Sequence, residues 1–198
     1  MLSIRNLSRP GLGPVDLSLA GGEIAALTGP SGAGKSLLLR AIADLDPNEG
    51  EVRLDGEARD DIPAPAWRRR VSYVAAESGW WADVVISHFE NPAAAIRMLP
   101  DLGLDEGALN WPVSRLSTGE KQRLALIRSV TLKPKVMLLD EPTSGLDDDS
   151  KSRVEKVLND LVADGMSLLI VTHDNAQAKR LKASVHRVEG GRLVEGPS

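Results

Sequence analysis

Apolar and polar residues alternate with a period of two at Leu2 and Ile4, and again at Val15, Leu17 and Leu19. Strands with one buried face have this pattern. Gly11, Gly13 and Pro14 lie between the two runs as turn residues, so the chain is expected to open with β structure. Val52 and Leu54 continue the alternation into Asp55-Gly56, a dipeptide suited to a tight hairpin, and Val71-Ser72-Tyr73-Val74 is a further β-rich run. Three other segments, residues 24–27, 136–139 and 168–171, are apolar at every position. A central strand of a parallel sheet, covered on both faces, requires that composition.

Helical spacing appears between these strands. Leu38, Ala41, Ile42 and Leu45 recur at i, i+3, i+4 and i+7 after Lys35, and Val154, Val157, Leu158, Leu161 and Val162 repeat the pattern. The second run stops at Asp164-Gly165 and feeds the strand at 168, completing a strand, helix, strand crossover. Residues 77–118 break the rhythm. Asn91-Pro92, Leu99-Pro100 and Trp111-Pro112 punctuate them, with an Ala-rich stretch from Ala93 to Met98, which predicts a short helical insertion. Val185 to Val188, Gly190-Gly191 and Arg192 to Val194 read as a closing hairpin. The expected architecture is α/β: a mostly parallel core sheet, an N-terminal antiparallel β region and a short inserted helical subdomain. One domain spans 1–198, with 1–76 and 119–198 as core and 77–118 as the insertion.

Composition narrows the function classes. The 198 residues are 42% hydrophobic and 26% charged, as expected of a globular domain of this size. Twenty-four Lys and Arg against 28 Asp and Glu give a net charge of −4, which argues against a nucleic-acid partner held by bulk electrostatics. Trp67-Arg68-Arg69-Arg70 is a basic run without a second stripe beside it and reads as a solvated turn. With no cysteine, disulfides, thiolate metal sites and cysteine nucleophiles are excluded. No apolar run is long enough to cross a bilayer, and Met1-Leu2-Ser3-Ile4-Arg5-Asn6 shows no basic leader followed by an apolar stretch, so the expected location is cytoplasmic.

Chemistry concentrates in two places. Gly29-Pro30-Ser31-Gly32-Ala33-Gly34-Lys35-Ser36, followed by Leu37, fits G-x-x-x-x-G-K-[ST] between an apolar strand and an amphipathic helix. Backbone N–H groups of such a loop form an anion-binding concavity, reinforced by the positive end of the helix dipole. Lys35 would reach the β- and γ-phosphates and Ser36 would ligate Mg²⁺. The strand at 136 ends in Asp140-Glu141, which places two carboxylates beside the phosphate loop in a parallel sheet. Asp140 would hold Mg²⁺ through water, and Glu141 would act as general base on the attacking water.

Leu116-Ser117-Thr118-Gly119-Glu120 begins with a capping box, Ser117 and Glu120, at the head of a helix. Here the sequence resembles the ATP-binding cassette (ABC) family of transporter ATPases, whose signature Leu-Ser-Gly-Gly-Gln precedes the acidic strand end. Ser144-Gly145-Leu146-Asp147 resembles that family's D-loop, and Thr172-His173-Asp174 its switch histidine. The resemblance implies a P-loop NTPase of ABC ATPase type that binds ATP and Mg²⁺. It also implies a head-to-tail homodimer, or a heterodimer with a related cassette, in which Ser117, Thr118 and Gly119 of one copy meet the γ-phosphate bound by the other. His173 would contact that phosphate and position Glu141, and Asp147 would link the two sites. Separate membrane permease subunits and a place on the inner face of the cell membrane are implied as well.

The chain also departs from the family. Thr118 and Glu120 replace the signature's first glycine and its glutamine. Ala76 stands where a magnesium-ligating glutamine follows the Tyr73-Val74 strand, with Glu77 or water as the substitute. No aromatic residue is available to stack on adenine near Ser8-Arg9-Pro10-Gly11, and Arg9 reads there as an exposed loop arginine. Trp80 and Trp81 fall where relatives receive a permease helix, as packing or as docking surface. His88 and His186 have no motif around them and read as ordinary residues. Two rival readings keep the phosphate loop: a soluble, non-transport ABC ATPase, and a small-molecule phosphotransferase, which does not need the signature or His173.

Overall fold

The computed structural model describes residues 1–194. The antiparallel sheet contains β1 (Leu2–Arg9), β2 (Leu12–Leu19), β4 (Glu49–Leu54) and β5 (Glu57–Ala58), in the order β2-β1-β4-β5. The larger sheet contains β3 (Ile24–Thr28), β6 (Val71–Val74), β7 (Val136–Asp140), β8 (Ser167–Val171), β9 (Ser184–Glu189) and β10 (Arg192–Val194), ordered β10-β9-β3-β8-β7-β6. All its pairings are parallel except that of β9 with the edge strand β10. The Asp55-Gly56 turn joins β4 to β5 with positive φ at both residues, the geometry that the dipeptide favours.

The fully apolar strands are explained by what covers them. Met137, Leu139, Leu168 and Ile170 face one hydrophobic cluster, shared with α4 (Thr118–Val130), α5 (Asp148–Ala163) and the inserted segment. Val136, Leu138, Leu169 and Val171 face the other, built with the antiparallel sheet and α1 (Lys35–Ile42). Side chains of a strand alternate between faces, so a strand between two apolar layers has no position to give to a polar residue. Register Leu27↔Val171 and Asp140↔Val171 then brings the carboxyl ends of β3, β7 and β8 to one edge of the sheet.

Several local expectations change. Helix α1 stops at Ile42, and Leu45 lies beyond it and exposed: Asp44 takes a positive φ of 56° and turns the chain away. The basic run is not a turn but helix α2 (Ala64–Arg70). Trp67 is fully buried there and donates its indole N–H to the Ile42 carbonyl at 2.9 Å, while Arg68, Arg69 and Arg70 pair with Asp44, Glu90 and Glu57. Between β6 and α4 the chain forms α3 (Pro92–Met98) and four short 3₁₀ turns, with Asn91 capping α3 through Ala94. Prolines at 92, 100 and 112 explain why longer helices do not form.

Candidate functional site

The phosphate-loop residues lie where the motif puts them, between β3 and α1. Gly34 precedes the helix with φ 101°, and Gly29 has φ 135° with a Val188 carbonyl so close that a Cβ would sit 2.2 Å from it. A side chain at either position would force the loop open. The turn between β9 and β10 braces the loop from outside: Gly191 donates to the Ala33 carbonyl at 2.9 Å and Gly13 donates to that of Gly191 at 2.6 Å. Ser31, Gly32 and Ser36 are exposed, and Leu37 packs partly against the core. Lys35 is buried and its ammonium donates to the carbonyls of Gly29 at 2.9 Å and Pro30 at 2.8 Å. Burial lowers its pKa, and the charges of Glu141 and Asp140 oppose that shift. The lysine is thus in the field of both acidic residues.

Asp140 ends β7 buried, and Tyr73 donates its hydroxyl to Asp140 Oδ2 at 3.0 Å. Glu141 leaves the strand with φ 50°, uncommon for a residue bearing a side chain. Its backbone is held on both sides, with its N–H on Val171 and its carbonyl accepting from Gln122 Nε2 at 2.6 Å and from the Ser144 N–H. That constraint aims the carboxylate at His173, whose Nε2 lies 3.0 Å from Glu141 Oε1. Glu141, Thr143, Ser144, Gly145, Thr172 and His173 line a cavity of about 280 Å³. His173 also borders a second cavity with Thr28, Gly29 and Pro30. Lysine, two carboxylates and histidine, predicted from separate motifs, therefore meet at one sheet edge. Among the described residues no cluster of three His or acidic groups could cage a metal alone; Ser36 and Asp140 would need oxygens from a ligand or from water.

The signature residues are placed differently. Ser117 and Thr118 are exposed and line neither cavity, and Gly119 packs against Leu146. Nor is the Ser117 hydroxyl free: Glu120 Oε2 accepts from it and from the Ser117 N–H, both at 2.8 Å. Asp147 caps α5, accepting from the Ser150 N–H and hydroxyl, which holds its pKa below the ordinary value. Ala76 and Glu77 are exposed, and no hydrogen bond joins the Glu77 side chain to the site among the described residues. Arg9 is no exposed loop arginine: it donates to Asp46 at 2.5 Å with its side chain only 18% exposed. His88 has a packing role. It is buried, accepts from the N–H groups of Trp81 and Ala82, and packs edge-on against both Trp80 and Trp81. Tyr73, Gln122 and Gly191 were missed in the sequence, although Tyr73 is the only tyrosine in the chain and interrupts an otherwise small or aliphatic strand.

Comparison with known proteins identifies the family and the fold. The ABC transporter family matches residues 12–144. The chain is 34% identical to the glutamine transport ATP-binding protein GlnQ of Escherichia coli, over 98% of this chain and 90% of that one. It is 39% identical to the lipoprotein-releasing system ATP-binding protein LolD of Maricaulis maris, over 87% and 83%. A dimeric ATP-binding cassette in a post-hydrolysis state, bound to ADP and Pi, superimposes with a TM-score of 0.86 at 25% identity, covering 98% of this chain and 97% of that one. A solved ATP-binding subunit of an ABC transporter gives 0.87 at 26%, covering 100% and 89%. The chain belongs to the ABC transporter family, as an ATP-binding subunit.

Proposed function

We propose that the chain hydrolyses ATP between two copies of itself, or between itself and a related cassette, and that this cycle drives transport through separate permease subunits at the inner face of the membrane. The observation that carries the reading is the convergence of Lys35, Asp140, Glu141 and His173 on the edge that holds the glycine loop. Residues 29–37 bind the phosphates through backbone N–H groups, and Lys35 turns from the loop carbonyls to the β- and γ-phosphate oxygens. The donor set suits Mg²⁺: one hydroxyl, Ser36, and one carboxylate, Asp140, fit an ion that keeps most of its water and takes the rest of its ligands from phosphate. When bound, Mg²⁺ supplies charge neutralisation on the phosphates.

Glu141 accepts a proton from water, the water oxygen bonds to the γ-phosphorus, and the bond to the β-phosphate oxygen breaks to leave ADP. His173, already 3.0 Å from Glu141, fixes the carboxylate and donates to the γ-phosphate. Ser117, Thr118 and Gly119 supply the partner copy's γ-phosphate contacts from the N-terminus of α4, where the 77–118 subdomain joins the core, and Asp147 stands at the dimer seam. No helix among the described residues is long and apolar enough to cross a membrane, and we place the permease on a cavity of about 430 Å³ lined by Trp81, His88, Phe89, Glu90 and Arg128.

Glu141→Gln tests the reading. The variant keeps the shape of the site but has no base, so turnover falls by about 10²-fold or more, and with ATP and Mg²⁺ it accumulates as dimers in small-angle scattering. Monomers at saturating ATP, or turnover close to that of the parent, overturn it.

A further inference from the structure

The magnesium side of the site lacks the polar residue that the family resemblance leads one to expect after β6. Ala76 has no donor or acceptor in its side chain, and Glu77 points to solvent. Another residue of the same strand already reaches the acidic edge. Tyr73 pairs in register with Leu138 of β7, so its ring lies beside that strand's carboxyl end and its hydroxyl donates to Asp140 Oδ2 at 3.0 Å. A tyrosine hydroxyl is an O–H donor at neutral pH, so it is the phenol that donates and the carboxylate that accepts. Arg40, engaged twice by Asp46 at 2.6 and 2.7 Å, also stands beside the Tyr73 hydroxyl, and among the described residues Tyr73 is the side chain that hydrogen-bonds the Asp140 carboxylate. The ring packs on the α1 face of the sheet, while its strand neighbours Ser72 and Val74 face the groove of Trp81, His88 and Arg128 on the other side.

We propose that Tyr73 is the positioning residue that fixes the Asp140 carboxylate for the metal. The proposal rests on the reading of Asp140 as the magnesium carboxylate. A hydrogen bond to a charged acceptor is a strong one, so its loss is expected to show as a change of about tenfold.

The test uses the full chain with Glu141→Gln, loaded with ATP, and Mn²⁺ as the probe, followed by electron paramagnetic resonance. Adding Tyr73→Phe, which keeps the ring and removes the hydroxyl, should weaken Mn²⁺ binding about tenfold while ATP affinity without metal stays the same. A purely structural role would instead lower both. With Asp140→Asn already present, Tyr73→Phe should have no further effect. Equal Mn²⁺ affinity with and without the hydroxyl overturns the positioning role. If the Glu141→Gln parent binds ATP but no Mn²⁺ beside it, the reading of Asp140 fails and the proposal fails with it.

Discussion

Asp46 takes two arginines at once, Arg9 at the end of β1 and Arg40 on α1, at 2.5 to 2.7 Å. The Arg40 hydrogen bonds, with Arg9 behind them, hold its pKa at about 2 against desolvation that pushes upward. A carboxylate with a depressed folded-state pKa contributes stability that is complete above its unfolded value, near pH 4, and lost as pH falls through about 2. The shift corresponds to roughly 2 kcal/mol. Asp46→Asn is therefore expected to lose about that much at pH 7 and to show a flatter stability profile between pH 4 and 2, measured by urea unfolding across that range. Residues of this kind were hard to read from the chain. Arg9 and Asp46 are far apart in sequence and their bond exists only because β1 ends beside the loop after α1, whereas Lys35 and Ser36 announce themselves because phosphate binding demands its residues consecutively.

Helix α4 shows the same division at the scale of elements. Its start was legible, because a capping box is local: Ser117 accepts from the Glu120 N–H, and Glu120 reaches back to the Ser117 N–H. Ser117→Ala should cost about 1 kcal/mol, read by chemical denaturation, with the unfolding slope unchanged. Unaltered stability would show that the cap contributes nothing. The three central strands were legible too, since apolar residues at every position have few other uses. Helix α2 was not. Seven residues with one buried anchor, Trp67, and three arginines at the end make too short a period to detect, and the anchor's partner carbonyl is on α1. The contact from Gln122 on α4 to the Glu141 carbonyl was hidden for a similar reason, since it depends on how a helix crosses a sheet.

Over the whole molecule, one edge of the parallel sheet carries the proposed chemistry and a neighbouring groove carries an aromatic and cationic surface. Trp81 is 71% exposed, and the Arg128 guanidinium lies 5.0 Å from both its ring and that of Trp80. Burial lowers the Arg128 pKa, and no carboxylate pairs with it among the described residues. Trp81→Ala removes little packing, so stability should change by less than about 1 kcal/mol, while recovery of the subunit with permease-bearing membranes should fall. A large loss of stability with intact recovery would return Trp81 to a packing role. The lysine of the glycine loop has a consequence for traffic through the site. Its ammonium already clasps two carbonyl oxygens of its own loop, so under the proposed function an arriving triphosphate would swap one set of oxygens for another instead of freezing a wandering side chain. Arrival and departure are then exchanges between two satisfied arrangements, and a motor built on such swaps can reload without rebuilding its mould.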